Sequence, residues 1–142
     1  MAERILVMGL PGAGKTSLAR EILKLLESAN KTVTYINADK VRLLWNDWDF
    51  TPNGRIRQSQ RMKSLSDLQT TDYVIGDFVA PLAESRTNFE AHWTIWVDTI
   101  DKSRYEDTNK IFRPPEKYDF RVPQQDCQTW ASIICKTILK VT

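Results

Sequence analysis

Short apolar runs alternate along the chain with stretches whose apolar residues recur at helical spacing, which predicts repeated strand–helix units. Arg4–Met8 is a nearly continuous apolar run of strand length, the pattern of a strand covered on both faces. Over Thr16–Glu27, Leu18, Ile22, Leu25 and Leu26 fall on one helical face. Thr32–Asn37, rich in β-branched and aromatic side chains, predicts a second strand, and a short helix is expected around Lys40–Trp45. Thr51-Pro52-Asn53-Gly54 is a turn signal, after which Arg55–Leu68 reads as a helix. A third strand is expected over Tyr73–Ala80, a short helix after Pro81, a fourth strand over Trp93–Asp98 and a brief fifth over Asp119–Val122. Asp126–Val141 closes the chain as an amphipathic helix. Five strands with intervening helices imply a three-layer α/β fold with a mainly parallel five-stranded sheet. No repeat, low-complexity tract or linker interrupts residues 1–142, so a single domain is expected.

Composition narrows the function. The 142 residues are 42% hydrophobic and 27% charged, as in ordinary soluble globular chains. No apolar run approaches the length that spans a membrane, and Ile5–Leu10 is too short for the apolar region of a signal peptide, so a cytoplasmic location is expected. Cys127 and Cys135 lie eight apart, without metal-type spacing, and read as reduced structural thiols. The single histidine, His92, excludes a histidine-based triad and a multi-histidine metal site. A net charge of +2 suits a phosphate-bearing ligand but argues against a nucleic-acid partner, whose backbone asks for a larger basic surface.

The sharpest signal is Gly9-Leu10-Pro11-Gly12-Ala13-Gly14-Lys15-Thr16, a full G-x-x-x-x-G-K-[ST] match lying between a buried strand and a helix. Its backbone N–H groups can turn toward phosphate oxygens, with the positive end of the following helix behind them. On this reading residues 9–16 together with Ser17 hold ATP, Lys15 reaches its β- and γ-phosphates, and Thr16 coordinates Mg²⁺. Tyr73-Val74-Ile75-Gly76-Asp77 is an apolar run ending in an acid, so Asp77 either holds the metal through a water or merely caps a strand end.

Asp39 and Arg42 follow the second strand, on the side where ligands bind in open α/β sheets. Asp39 either orients an acceptor hydroxyl or caps a helix, and Arg42 either clamps an anion or lies on the surface. Arg55, Arg57, Arg61 and Lys63 form either a second anion clamp or a solvated face. Trp45, Trp48 and Phe50 precede them, with packing expected for the tryptophans and ligand contact for Phe50. Lys102, Arg104, Lys110 and Arg113 mark residues 102–115 as either a short basic lid or an ordinary polar connection.

With these motifs in view, the chain resembles the adenylylsulfate kinases, P-loop enzymes that phosphorylate the 3′-hydroxyl of adenosine 5′-phosphosulfate with ATP. The family's D-G-D-x-x-R corresponds to Asn37-Ala38-Asp39-Lys40-Val41-Arg42, and its G-F-S-x-x-D-R to Asp49-Phe50-Thr51-Pro52-Asn53-Gly54-Arg55. Its E-N-I-R-R corresponds to Arg57-Gln58-Ser59-Gln60-Arg61. The resemblance implies a P-loop nucleoside triphosphate hydrolase fold, a homodimer, ATP and Mg²⁺ as cofactors, and Lys15 and Asp39 as the catalytic pair. It also implies Arg42, Phe50, Arg55, Gln58 and Arg61 as contacts for an anionic nucleotide acceptor. Where the family has S-P-Y-R this chain has Ala80-Pro81-Leu82-Ala83, with Arg86 nearby as a substitute, and the family's longer lid is reduced to residues 99–118. Two other expectations stand beside this one: a P-loop kinase acting on a different hydroxyl, and an ATP-binding regulatory protein without turnover.

Overall fold

The computed structural model describes residues 2–141. Its strands are β1 (Glu3–Met8), β2 (Val33–Asn37), β3 (Tyr73–Asp77), β4 (Trp93–Val97) and β5 (Phe120–Val122). Its helices are α1 (Lys15–Ser28), α2 (Ala38–Trp45), α3 (Pro52–Asp67), α4 (Ala83–Phe89), α5 (Glu106–Ile111) and α6 (Cys127–Val141). The strands form one sheet in the order β2-β3-β1-β4-β5, and every pairing is parallel. This is the α/β P-loop fold expected from the sequence.

Alternation along β1 explains why helices cover both faces. Ile5 and Val7 point to one side, where they pack with Leu18, Ile22 and Leu26 of α1 and Ala131, Ile134 and Ile138 of α6. Leu6 and Met8 point to the other side and meet Val41, Met62 and Phe89 of α2, α3 and α4. Burying each large apolar side chain contributes about 1.5–3 kcal/mol, so β1 is pinned from both directions. Leu25, expected on the inner face of α1, is instead 36% exposed, and Ala19 takes the buried place.

Three local expectations need correction. Residues 51–54 do not form a turn ahead of α3. Thr51 is the N-cap, its hydroxyl accepting from the Gly54 N–H at 3.2 Å, and Pro52 opens the first turn, where its missing N–H costs nothing. The third strand ends at Asp77 rather than Ala80, because Phe78 and Ala80 fold into the second core and Ala80 takes a positive φ of 47°. The connection between β4 and β5 contains α5, which the sequence reading did not anticipate.

β1 lies between β3 and β4, so successive connections depart to opposite sides of it and open a crevice at its carboxyl end. The glycine-rich loop lies there. One tight approach shapes the sheet beside it: a Cβ added at Gly76 would sit 2.5 Å from Cζ of the fully buried Phe89. Gly76→Ala is therefore expected to cost about 1–3 kcal/mol by overpacking, read as a lowered melting temperature. Phe89→Leu should recover part of that loss in the double variant, and strictly additive effects would show that the ring is not the obstacle.

Candidate active site

The loop between β1 and α1 is bent by its glycines. Gly9 has φ 153°, and a Cβ there would meet the Val97 carbonyl oxygen of β4 at 2.4 Å. Gly14 caps α1 in the left-handed region, φ 105°, a conformation that glycine adopts without strain. The loop's outer carbonyls are tied down from the ends of β4 and β5. Thr99 Oγ1 donates to the Ala13 oxygen at 2.6 Å, and Gln125 Nε2 donates to the same oxygen at 3.2 Å. Beside the loop lies a cavity of about 150 Å³, lined by residues that include Gly14, Ser17, Thr99, Gln124, Gln125 and Cys127.

Lys15 folds back over the loop and donates from Nζ to the Leu10 carbonyl at 3.0 Å. Burial lowers its pKa, while the Asp77 and Asp39 carboxylates favour its charged form. Next to it, Thr16 Oγ1 donates to Asp77 Oδ2 at 2.8 Å. The same oxygen accepts from the Tyr35 hydroxyl at 2.6 Å and from Asn37 Nδ2 at 3.3 Å. Burial and the hydrogen bond to Asp77 push the Tyr35 phenol up to about 12. Thr16 and Asp77 supply hard oxygen donors of the kind Mg²⁺ takes. Among the described residues no group of three or more His, Cys, Asp or Glu could hold a metal alone. A site of this kind suits an ion that relies on substrate phosphates for its remaining ligands.

The residues expected to meet an acceptor surround a looped segment, 46–51. Asn37, not Asp39, caps α2: its Oδ1 accepts from the N–H groups of Asp39 and Lys40 at 3.0 and 3.3 Å. The Asp39 carboxylate accepts no protein hydrogen bond among the described residues, yet it acts electrostatically on both Lys15 and Arg42. Arg42 is buried and donates from Nη1 to the Asp47 and Asp49 carbonyls. Arg55, also buried, donates to the Phe50 carbonyl at 2.7 Å and to Thr108 of α5 at 2.8 Å. Both guanidinium groups sit over the Phe50 ring, at 4.3 and 5.3 Å from its centroid, so two cations share one ring. Burial works against the charge of each, and at Arg42 the nearby Arg55 adds to that.

The remaining candidates lie away from the Phe50 ring. Gln58 is buried and donates to the Ala38 carbonyl at 3.0 Å, while its Oε1 has no partner. Arg61 lies 2.7 Å from Asp47 Oδ2 as an ion pair, although no hydrogen on that nitrogen is aimed at an acceptor. Arg57 pairs with Asp47 and Asp49; its hydrogen bonds hold the Asp47 carboxyl well below the usual range, while the Asp49 carboxyl is lowered first by hydrogen bonds from Thr51 and then by Arg57. Arg86 donates to the carbonyls of Ala80, Pro81 and Arg113, and burial lowers its pKa to about 10. Residues 102–115 are thus joined to α3 through Arg55 and to α4 through Arg86. Trp45 and Trp48 remain 48% and 47% exposed, rather than packed away, beside the exposed Leu43 and Leu44.

The sequence reading missed Tyr35, Thr99 and Gln125. A signal existed for Tyr35: it stands two residues before Asn37 on β2, hence on the same face, and Asn37 pairs with Asp77 in the sheet register. Thr99 and Gln125 lie just beyond the carboxyl ends of β4 and β5, where ligands of such sheets bind.

Comparison with known proteins places these features among relatives. The family model of chromatin associated protein KTI12 matches residues 3–84. The APS kinase CysC of Mycobacterium tuberculosis, solved with AMPPNP and APS, superposes with a TM-score of 0.82 at 18% identity, covering 97% of this chain and 98% of that one. Shikimate kinase from Aquifex aeolicus gives 0.65 at 15% identity, with 96% of each chain covered. A hexameric APS kinase from Thiobacillus denitrificans gives 0.76 at 20% identity, over 99% of this chain and 29% of that one. No curated protein sequence is a match. The likeness to these solved structures extends to the fold. The contact at Gly9 makes a direct test: Gly9→Ala should cost about 1–3 kcal/mol of stability and lose the thermal shift on adding ATP. An unchanged melting point with a full ATP shift would show that the loop does not depend on its approach to Val97.

Proposed function

The chain belongs to the KTI12 family, and from that premise we propose that it is a Mg²⁺-dependent kinase moving the γ-phosphoryl group of ATP to a hydroxyl of an anionic small molecule. The observation that carries this reading is the meeting of Lys15, Thr16 and Asp77 at the mouth of a glycine-rich loop that opens α1. The loop's N–H groups and the helix end would hold the phosphates of ATP. The adjoining cavity of about 150 Å³ would take the base or sugar of the nucleotide. Bound Mg²⁺ supplies positive charge at the transferring phosphate and neutralises charge that develops there. Thr16 and Asp77 would hold it, with the Thr16 proton directed to the carboxylate and the hydroxyl lone pairs left for the ion.

The chain's own residues account for the rest. Lys15 reaches across the loop to offer positive charge to the transferring group; burial lowers its pKa, and the Asp77 and Asp39 carboxylates oppose that loss of charge. Asp39, released from capping by Asn37, has a carboxylate free to accept the proton of an acceptor hydroxyl. Arg42 and Arg55 supply the anion-recognising side: Nε and Nη2 of Arg42 and Nη1 of Arg55 make no protein hydrogen bond among the described residues. Phe50, which both arginines contact and which stays 42% exposed, would offer its ring to a planar group. Adenosine 5′-phosphosulfate fits that chemistry, carrying both an anionic group and a base, and is the first acceptor proposed. Catalysis on this reading is by placement and electrostatics, without a covalent enzyme intermediate.

The test follows Mg²⁺-dependent consumption of ATP with and without adenosine 5′-phosphosulfate, together with appearance of the 3′-phosphorylated product. Lys15→Ala should lower turnover at least about 10²-fold with the melting temperature little changed. Asp39→Asn should lower kcat about 10²–10⁴-fold while ATP binding persists. Product formation from ATP and a different hydroxyl acceptor would keep the kinase and replace the acceptor. ATP binding with no transfer to any acceptor, or full activity in Lys15→Ala, would overturn the reading.

A further inference from the structure

Three side chains from two elements, Thr16 of α1 and Tyr35 and Asn37 of β2, converge on Asp77, and only Thr16 among them belongs to the glycine-rich motif. We infer that Tyr35 is a positioning residue for the metal, acting through Asp77 and never touching the ion. The Asp77 carboxylate is 3% exposed, and all of its protein donors reach one oxygen. Thr16 Oγ1 donates to Oδ2 at 2.8 Å, the Tyr35 hydroxyl at 2.6 Å and Asn37 Nδ2 at 3.3 Å. Asn37 Nδ2 also donates to the Tyr35 oxygen at 3.2 Å, which fixes the direction of the phenol.

The consequence is an asymmetric carboxylate. Three donors exceed the two in-plane lone pairs of Oδ2, so that oxygen is saturated, while Oδ1 has no protein partner among the described residues. A carboxylate held this way cannot turn about its Cβ–Cγ bond to exchange its oxygens without breaking the phenol contact. Oδ1 is left as the acceptor for a water on the metal, and the Thr16 hydroxyl is held with its proton toward Asp77 and its lone pairs outward. Outer groups that orient a ligand in this manner commonly change metal affinity by about an order of magnitude or more. Tyr35 reaches this place because β2 pairs with β3 in parallel, with Asn37 opposite Asp77 and Tyr35 two residues earlier on the same face. The phenol is the shortest of the three contacts, and no other hydroxyl on β2 reaches Asp77.

This inference rests on the phosphotransferase reading above, and the experiment separates their failures. Mn²⁺ binding to the full chain is measured by electron paramagnetic resonance in the presence of a non-hydrolysable ATP analogue. The parent is compared with Tyr35→Phe, a change that keeps the ring and removes only the hydroxyl. The analogue's affinity in EDTA and the metal-free melting temperature are measured on both proteins. The expected result is Mn²⁺ affinity weakened roughly ten- to hundredfold in Tyr35→Phe, the scale of losing one outer group that orients a ligand, with metal-free nucleotide affinity unchanged. Equal Mn²⁺ affinity in the two proteins overturns the inference and leaves the kinase reading intact. Loss of folding, or an equal loss of nucleotide affinity with and without metal, also overturns it, since Tyr35 would then act on structure alone. Absence of metal-dependent binding in the parent removes both readings together.

Discussion

The Asp77 carboxylate lies out of water at the end of the central strands, and removing such a charge from solvent costs several kcal/mol unless donors replace the lost water. Here the replacement comes from separate pieces of the fold: a hydroxyl at the start of α1 and a phenol and an amide on β2. Satisfying this one group therefore requires that β2 and β3 pair in one register and that α1 start at one point of the glycine-rich loop. The glycine-rich loop and the sheet are thus specified by the same contacts.

The arginine-rich region around residues 42–61 is held differently. Arg42 and Arg55 face carbonyls and an aromatic ring instead of a shared carboxylate. Arg42 and Arg55 organise residues 47–50 by donating to three of their carbonyls and flanking Phe50. Asp47 and Asp49 take up the charge of Arg57, and Asp47 also that of Arg61, so the two more exposed arginines are matched while the two buried ones keep unused donors. The division is physical: carboxylates neutralise Arg57 and Arg61, and neutral oxygens hold Arg42 and Arg55 in place while leaving their charge largely uncompensated. What compensation there is comes from looser partners: Asp107 lies 3.8 Å from Arg55, and the Asp47 and Asp39 carboxylates favour the charge of Arg42.

Much of this could be read in the sequence, for reasons that differ by element. The central strands and α1 were legible because burial on two faces leaves long apolar runs and a clear helical stripe. The loop was legible because its chemistry needs glycines at fixed places. The start of α3 was obscured because Thr51-Pro52 serves equally as a turn signal and as an N-cap with proline in the first turn. The helix α5 left no trace in apolar periodicity: Glu106–Ile111 is polar and short, and Thr108 meets Arg55 from more than fifty residues away. Charge could be counted but not paired, so nothing in the sequence told a carbonyl-bound Arg42 from a carboxylate-bound Arg57. Capping, too, was placed on the wrong residue as one alternative: Asp39 seemed the natural cap, yet Asn37 one turn-position earlier takes that task and sets the acid free.

Asn37 uses both ends of its amide, the nitrogen toward Asp77 and the oxygen toward the first N–H groups of α2. One short side chain is thus a rigid strut between the two halves of the crevice, and neither half moves without loading it. Should an acceptor draw α2 inward, the same displacement reorients the carboxylate at the other end. Thermodynamic linkage then makes the effect reciprocal: whatever factor the acceptor applies to the affinity for the ion, the ion applies to the affinity for the acceptor. Two ligands that never touch would come to share a single coupling free energy, carried across one side-chain amide.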